Sequence, residues 1–303
     1  MADRSAEIRH IPIVLGAAAM VLGLAASPDA DAAAVLKPDT SFASHRALYE
    51  MTLRSTEHGS SVADATGTMY YRFEALCGGW EVESRVALQL HYGNVGATEV
   101  IETTWTFTSF ESYDGTELTY AVDHKRDGMI QEAFAGEAGK DSEGGGASFD
   151  DELMTSVALP SETLFPAEHL RMMLDHAKRA KGPFRQVVFD GASTSNPYSV
   201  NAFVIGPVRG QHALAANDAA SDAANGGGAM LVGAWPASVR PMQTYRIRMA
   251  YFPVTGANTV PEFEIEVDYR EDGIAERMIQ DFGDFALDLT PSKLELLPVA
   301  ECE

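Results

Sequence analysis

Pro261-Glu262-Phe263-Glu264-Ile265-Glu266-Val267-Asp268-Tyr269 is the stretch that decides the fold. Phe263, Ile265, Val267 and Tyr269 alternate strictly with Glu264, Glu266 and Asp268. A period of two puts the first set on one face of a strand and the second on the other. The apolar face is predicted to lie in a core and the carboxylates to form a row in solvent.

Working outward, the same pattern recurs. Thr244 to Phe252 places Tyr245, Ile247, Met249 and Tyr251 on one side. Ile274 to Leu289 and Lys293 to Leu297 follow it. Toward the N-terminus, His45 to Leu53, Gly67 to Phe73, Trp80 to Leu90 and Val100 to Phe110 are rich in β-branched and aromatic residues, as half-buried strands are. Four Asp-Gly pairs, at 114–115, 127–128, 190–191 and 272–273, supply the positive φ of tight hairpins. So many hairpin signals, with so little helical pattern, predict a large meandering antiparallel sheet.

One helix interrupts it. Pro166 stands at a first helical position, where its missing N–H costs nothing. Leu170, Met173, Leu174 and Ala177 form an apolar stripe, Lys178, Arg179 and Lys181 favour the negative end, and Gly182-Pro183 is the predicted stop. Such a helix packs across a face or plugs the mouth of a curved sheet. Gly136 to Asp150 and Gly210 to Ala229 are Gly-, Ala- and acid-rich, and are predicted to be flexible surface insertions, 136–150 and 210–229.

Residues 1–34 are read as a secretory signal peptide: Arg4, Arg9 and His10, an apolar run Ile11–Ala26, then small residues. The rival reading is a membrane anchor, but the run is shorter than the ~20 residues a spanning helix needs. Residues 35–303 form the predicted single domain, exported to the periplasm and not membrane-spanning after cleavage. The formal net charge of -22 in 303 residues disfavours nucleic acid and anionic lipid surfaces as partners. In an oxidising compartment the two cysteines, Cys77 and Cys302, read as one disulfide; two free thiols are the alternative.

Catalytic signatures are missing. There is no Gly-x-Ser-x-Gly, no Ser-x-x-Lys, no His-Glu-x-x-His and no phosphate loop before a helix. His169 and His176, seven apart, suit two rim histidines better than a metal site. Asp123-His124 with Ser193 or Ser195 offers a weak triad candidate. No catalytic residue, metal ligand or cofactor is assigned, and the chain is expected to be non-enzymatic. Large curved sheets often enclose an apolar cavity, so a lipid or acyl chain is one expected ligand; an unrecognised envelope hydrolase and a scaffold acting through its acidic face are the alternatives.

Ser44-His45-Arg46-Ala47-Leu48-Tyr49, Gly67-Thr68-Met69 and Cys77-Gly78-Gly79-Trp80-Glu81-Val82, followed by Leu164-Phe165-Pro166, Phe189-Asp190-Gly191, Trp235-Pro236, Asp281-Phe282-Gly283-Asp284-Phe285 and the final Cys302, resemble the EipB periplasmic cell-envelope integrity proteins of α-proteobacteria. The resemblance covers about residues 42–303. It implies a β-spiral, a strongly curved open antiparallel sheet of about fourteen strands with one packed helix, similar to the lipoprotein carriers LolA and LolB. It further implies a role in envelope integrity, a disulfide at Cys77 and Cys302, and a functional connection with a periplasmic tetratricopeptide-repeat protein. It implies no established catalytic activity.

Overall fold

The computed structural model describes residues 38–94, 97–150, 155–209, 239–254 and 259–302. The predicted signal segment, the 210–229 insertion and Trp235-Pro236 lie outside the described residues. Val35–Glu303 forms one compact unit.

Fourteen strands build one antiparallel sheet. The first eight are β1 (His45–Thr56), β2 (Val62–Ala75), β3 (Gly79–Asn94), β4 (Ala97–Ser112), β5 (Glu117–Arg126), β6 (Met129–Lys140), β7 (Gly145–Phe149) and β8 (Ser156–Leu159). The helix α1 (Pro166–Lys178) follows, and then β9 (Phe184–Val188), β10 (Tyr198–Val208), β11 (Thr244–Pro253), β12 (Phe263–Arg270), β13 (Ala275–Asp281) and β14 (Phe285–Leu296). The spatial order is β8-β7-β6-β5-β4-β3-β2-β1-β14-β13-β12-β11-β10-β9. The chain thus starts in the middle, meanders to one edge, crosses through α1 to the other edge and meanders back beside β1.

That crossing fixes the curvature. Leu159 ends the edge strand β8. Only five residues later, Leu164 bridges Val188 of the opposite edge strand β9. Five extended residues span at most ~17 Å, so the sheet must curl until its edges nearly meet. No ladder joins β8 to β9, and the result is an open β-spiral rather than a barrel. Leu164 donates to the Val187 carbonyl and accepts from the Phe189 N–H, covering part of an edge that would otherwise invite pairing.

The Asp-Gly signals at 114–115, 127–128 and 272–273 connect β4–β5, β5–β6 and β12–β13, with Asp127 itself at φ 50°. The fourth, Asp190-Gly191, is not a tight hairpin. It opens the connection from β9 to β10, where Gly191 (φ 70°) lies so close to the Tyr120 ring that a Cβ would meet it at 2.3 Å. The left-handed backbone and the Tyr120 ring together require that glycine, outside any tight hairpin.

Residues 136–150 are not a flexible insertion: they supply the end of β6 and all of β7. Ala138, Ala147 and Phe149 are buried with Phe134 and Tyr120. A Cβ on Gly136 would stand 2.1 Å from the Ser148 carbonyl. The small residues permit a close approach of strands there, so low complexity marks tight packing instead of disorder.

The helix ends three residues before the predicted Lys181. Ala180 adopts the left-handed conformation (φ 49°), and Lys181 N–H donates to the His176 carbonyl, closing the helix without the predicted Gly182-Pro183 stop. Its buried face is Ala167, His169, Met173, Leu174 and Ala177, with Leu170 half-buried. Met173 and Ala177 join the main core, built from β1–β3 and β9–β14, and Ala167 and Leu174 join a cluster around Trp80 and Phe42. The helix therefore plugs one end of the spiral.

The Cys77-Gly78-Gly79-Trp80 turn lies at that same end. Gly78 takes φ 99°, and a Cβ on Gly79 would meet the Glu111 carbonyl at 2.3 Å. Trp80 stacks on Phe73 at 4.9 Å and meets Tyr113 edge-on at 5.2 Å. Cys77 is bonded to Cys302, with Cα atoms 5.7 Å apart.

Candidate functional site

Inside the spiral the inward-facing residues of β1–β5, β13 and β14 do not fill the space. They leave a mainly apolar cavity of about 720 Å³. On β3 the lining positions are Val82, Ser84, Val86, Leu88, Leu90 and Tyr92, every second residue. On β4 they include Ile101, Thr103, Trp105 and Phe107, with the Trp105 and Phe107 rings stacked at 5.5 Å. Pro166 and Leu170 of α1 close the floor. A smaller chamber of about 190 Å³ continues under the helix beside Met173, Met249 and Val267.

Polar groups punctuate the lining. Tyr71 and Tyr269 border both spaces. Burial pushes both phenols up, Tyr269 to about 12, so they remain neutral hydroxyls. Tyr49 donates to the Ala275 carbonyl at 2.9 Å. At the floor, Glu111 of β4 is buried, and its two oxygens accept the N–H groups of Ala167 (2.7 Å) and Glu168 (3.2 Å). It caps the helix from another element, and desolvation nevertheless pushes its carboxyl up to about 7.

The inward parity of β5 begins apolar, with Leu118, Tyr120 and Val122 buried, and ends in His124 and Arg126. Thr103 Oγ1 lies within hydrogen-bond distance of both His124 Nε2 (2.9 Å) and the Lys125 carbonyl (3.1 Å), which fixes the His124 ring against β4. Beside this end, Met129 and Ile130 at the start of β6 and Phe282 in the β13–β14 turn are exposed. This is the open mouth of the cavity.

The triad candidate is not assembled. Asp123 and His124 are neighbours on one strand and point to opposite faces: Asp123 pairs with Lys125 Nζ at 2.9 Å, whereas His124 lines the cavity. Ser193 and Ser195 lie in the β9–β10 connection, the Ser193 hydroxyl accepting the Ser195 N–H.

His169 is no rim histidine: it is 4% exposed, its Nε2 has no hydrogen-bond partner, and burial holds it down at about 4, hence neutral. His176 packs on the Phe184 ring at 4.1 Å. Among the described residues no group of three or more His, Cys, Asp or Glu is placed to hold a metal, and no helix is long and apolar enough to cross a membrane.

The carboxylate row of β12 is not a bare solvent face. Asp268 is buried and takes a two-pronged pair from Arg246 (2.6 and 2.7 Å), Glu266 lies 3.4 Å from the same guanidinium, and Glu264 pairs with Arg248. Two cross-strand arginines on β11, Arg246 and Arg248, pair with three of the carboxylates, Glu264, Glu266 and Asp268, so the row carries less net charge than its sequence suggests.

The sequence leaves open whether the curved sheet encloses a cavity, and it does not by itself single out the lining residues or Arg126 among them. The signal was present in the alternation Leu118, Tyr120, Val122, but a ten-residue strand ending in His-Lys-Arg resembles a polar turn.

The EipB-like family model matches residues 37–298. The cell envelope integrity protein EipB of Brucella abortus (strain 2308) is 21% identical over 277 residues, covering 88% of this chain and 87% of that protein. The crystal structure of a β-barrel-like protein of a domain of unknown function, also from Brucella abortus, superposes with a TM-score of 0.72 at 19% identity, over 86% of this chain and 100% of that one. With a family match across most of its length, the chain belongs to the EipB-like family.

Proposed function

We propose that this protein supports the integrity of the cell envelope from the periplasm by holding a lipid-like molecule inside its curved sheet. The observation that carries the reading is the unfilled apolar cavity. The lining is mainly apolar and continuous over β1–β5, β13, β14 and the helix floor, and its size falls in the range of pre-formed small-molecule sites. At roughly 25 cal/mol per Å² of apolar surface covered, an acyl tail stabilises such a wall in a way that water entering at the mouth does not.

The envelope role is supported by the name of the Brucella relative, and the periplasmic address by the N-terminal signal pattern. A periplasmic tetratricopeptide-repeat protein is the proposed partner, reached through the outer surface. The role needs no chemistry at the site, in keeping with a binding protein rather than an enzyme.

The test is native mass spectrometry and lipid extraction of the protein purified from periplasm, beside a Leu88→Trp variant that fills the mid-cavity. An acyl compound bound to wild type and lost from the variant is expected. An interior that carries no such compound, and binds none when offered, would overturn the reading.

A further inference from the structure

We infer that the cavity holds a single-chain amphiphile tail-down, with an anionic head, a carboxylate or a phosphate, against Arg126 at the mouth. This rests on the lipid-binding reading above and adds the orientation and the charge of the ligand.

The first observation is parity. Arg126 continues the inward parity of β5 begun by buried Leu118, Tyr120 and Val122, borders the cavity, and keeps its side chain 52% exposed at the rim. It is the one Lys or Arg among the described cavity-lining residues, in a chain with twice as many acids as bases, 44 against 22. Its only ion-pair neighbour is Asp127, at 4.0 Å from Nε, and its terminal nitrogens have no hydrogen-bond partner among the described residues. An Arg at a mouth with an unused planar fork fits a carboxylate or phosphate.

The second observation is depth. Arg126 stands across from Thr103, and Thr103 across from Leu88. From Leu88 down to Val82 at the helix-covered floor is six residue steps, about 20 Å along a strand. Even the tilt of closed barrels, ~40°, would leave about 15 Å along the axis, the thickness of one leaflet of a ~30 Å hydrocarbon core. A tail of membrane length therefore fits below the Arg126 level.

The third observation is the polarity of the two ends. The acidic lining residues, Asp190 and Asp272, border the floor region near Leu170; the cation beside them, buried Arg270, is already committed to Asp272 in a two-pronged pair at 2.9 and 2.7 Å, whereas Arg126 at the mouth has no carboxylate nearer than 4.0 Å among the described residues. The whole-protein charge of -22 still disfavours an anionic membrane surface. It does not disfavour one anion within reach of Arg126, because charges beyond ~8 Å are screened at physiological salt.

The experiment compares dodecanoate, dodecan-1-ol and dodecyltrimethylammonium below their aggregation limits, titrated into the purified, delipidated protein and followed by calorimetry and tryptophan fluorescence, with wild type and Arg126→Gln in parallel. Wild type should bind dodecanoate about tenfold or more tighter than the ammonium, and Arg126→Gln should close most of that gap while the alcohol affinity stays within about twofold. Matched melting curves show that the variant is folded. A dodecyl phosphate arm separates the two anions. Equal affinity for acid and ammonium in wild type, or a gap that survives Arg126→Gln, overturns this inference and leaves lipid binding standing; failure of all three probes to bind overturns both.

Discussion

Glu111→Gln tests how the helix plug is held. Pro166 has no N–H, and the N-cap residue Phe165 offers no side-chain acceptor, so the first free donors of α1 need a partner from elsewhere. Glu111 supplies it to Ala167 and Glu168. Its carboxyl is pushed up to about 7 from 4.5 by burial, which outweighs the two N–H bonds. A difference of 2.5 in pKa corresponds to about 3 kcal/mol. The folded state holds this proton more tightly than the unfolded chain does. The stability it contributes is therefore complete below about pH 4.5 and is lost as pH rises to about 7. The whole-protein profile will not display this directly, because neutral His169, held down at about 4, acts in the opposite sense: its contribution is complete above about pH 6.5 and is lost as pH falls toward 4. The readout must be the difference between variant and wild type. Urea unfolding followed by circular dichroism at half-unit steps should show wild type gaining about 3 kcal/mol on Glu111→Gln between pH 7.5 and 4.5, with unchanged m. A difference constant to within ~0.5 kcal/mol across that window would refute the placement of a buried, titrating carboxyl under the helix.

Cys302→Ser opens a covalent loop of sequence separation 225; the chain-entropy relation gives roughly 5 kcal/mol, an upper bound that residual unfolded structure lowers. At ~2–4 °C per kcal/mol for a domain of this size, differential scanning calorimetry should show the melting temperature falling by up to about 10–20 °C in oxidising buffer, and unchanged melting would remove the clasp from the account. Gly136→Val places atoms where a Cβ already stands 2.1 Å from the Ser148 carbonyl and 2.6 Å from the Tyr120 hydroxyl; backbone hydrogen exchange should then speed up across β7 and β8 while β1–β3 stay protected, and protection of β7 equal to wild type would contradict the close strand approach.

Much of the fold was readable because the core strands obey one rule. β12 alternates without a fault, and β3, β4 and β11 nearly so, with Asp-Gly turns where β4–β5, β5–β6 and β12–β13 reverse. What escaped was structure whose residues carry no periodic signal. Gly145-Gly146-Ala147 forms a strand because it fits between β6 and β8, a tertiary fact that composition hides. His169 looked like a polar residue on a helix rim, yet the helix turns it beneath the sheet. The cavity was legible only as a class of outcome: alternation states that Val86 or Trp105 faces inward, but not whether the opposite wall reaches it.

The distribution of closure devices explains why an open sheet can maintain such a space. The disulfide ties the segment after β14 to the β2–β3 turn. Leu297 donates to the Ser44 carbonyl at the start of β1, and Ala43 to the Asp272 carbonyl in the β12–β13 turn. Tyr113 binds the Leu76 carbonyl at 2.6 Å, and Glu111 holds the helix N-terminus. All of these act at the end where α1 forms the floor. At the other end the Asp127-Gly128 hairpin and the β13–β14 turn stand with Met129, Ile130 and Phe282 exposed. A barrel would distribute its constraint evenly around a closed ladder. This spiral concentrates its disulfide and its helix cap at the base, whereas the rim is tied by backbone hydrogen bonds between turns, Glu57 N–H to the Asp284 carbonyl, Gly93 N–H to the Ser61 carbonyl and Asp127 N–H to the Glu102 carbonyl. A covalent bond at the base and hydrogen bonds between turns at the mouth rank the two ends: the base is the harder to open, and the orientation we infer places the ligand head at the end without the disulfide.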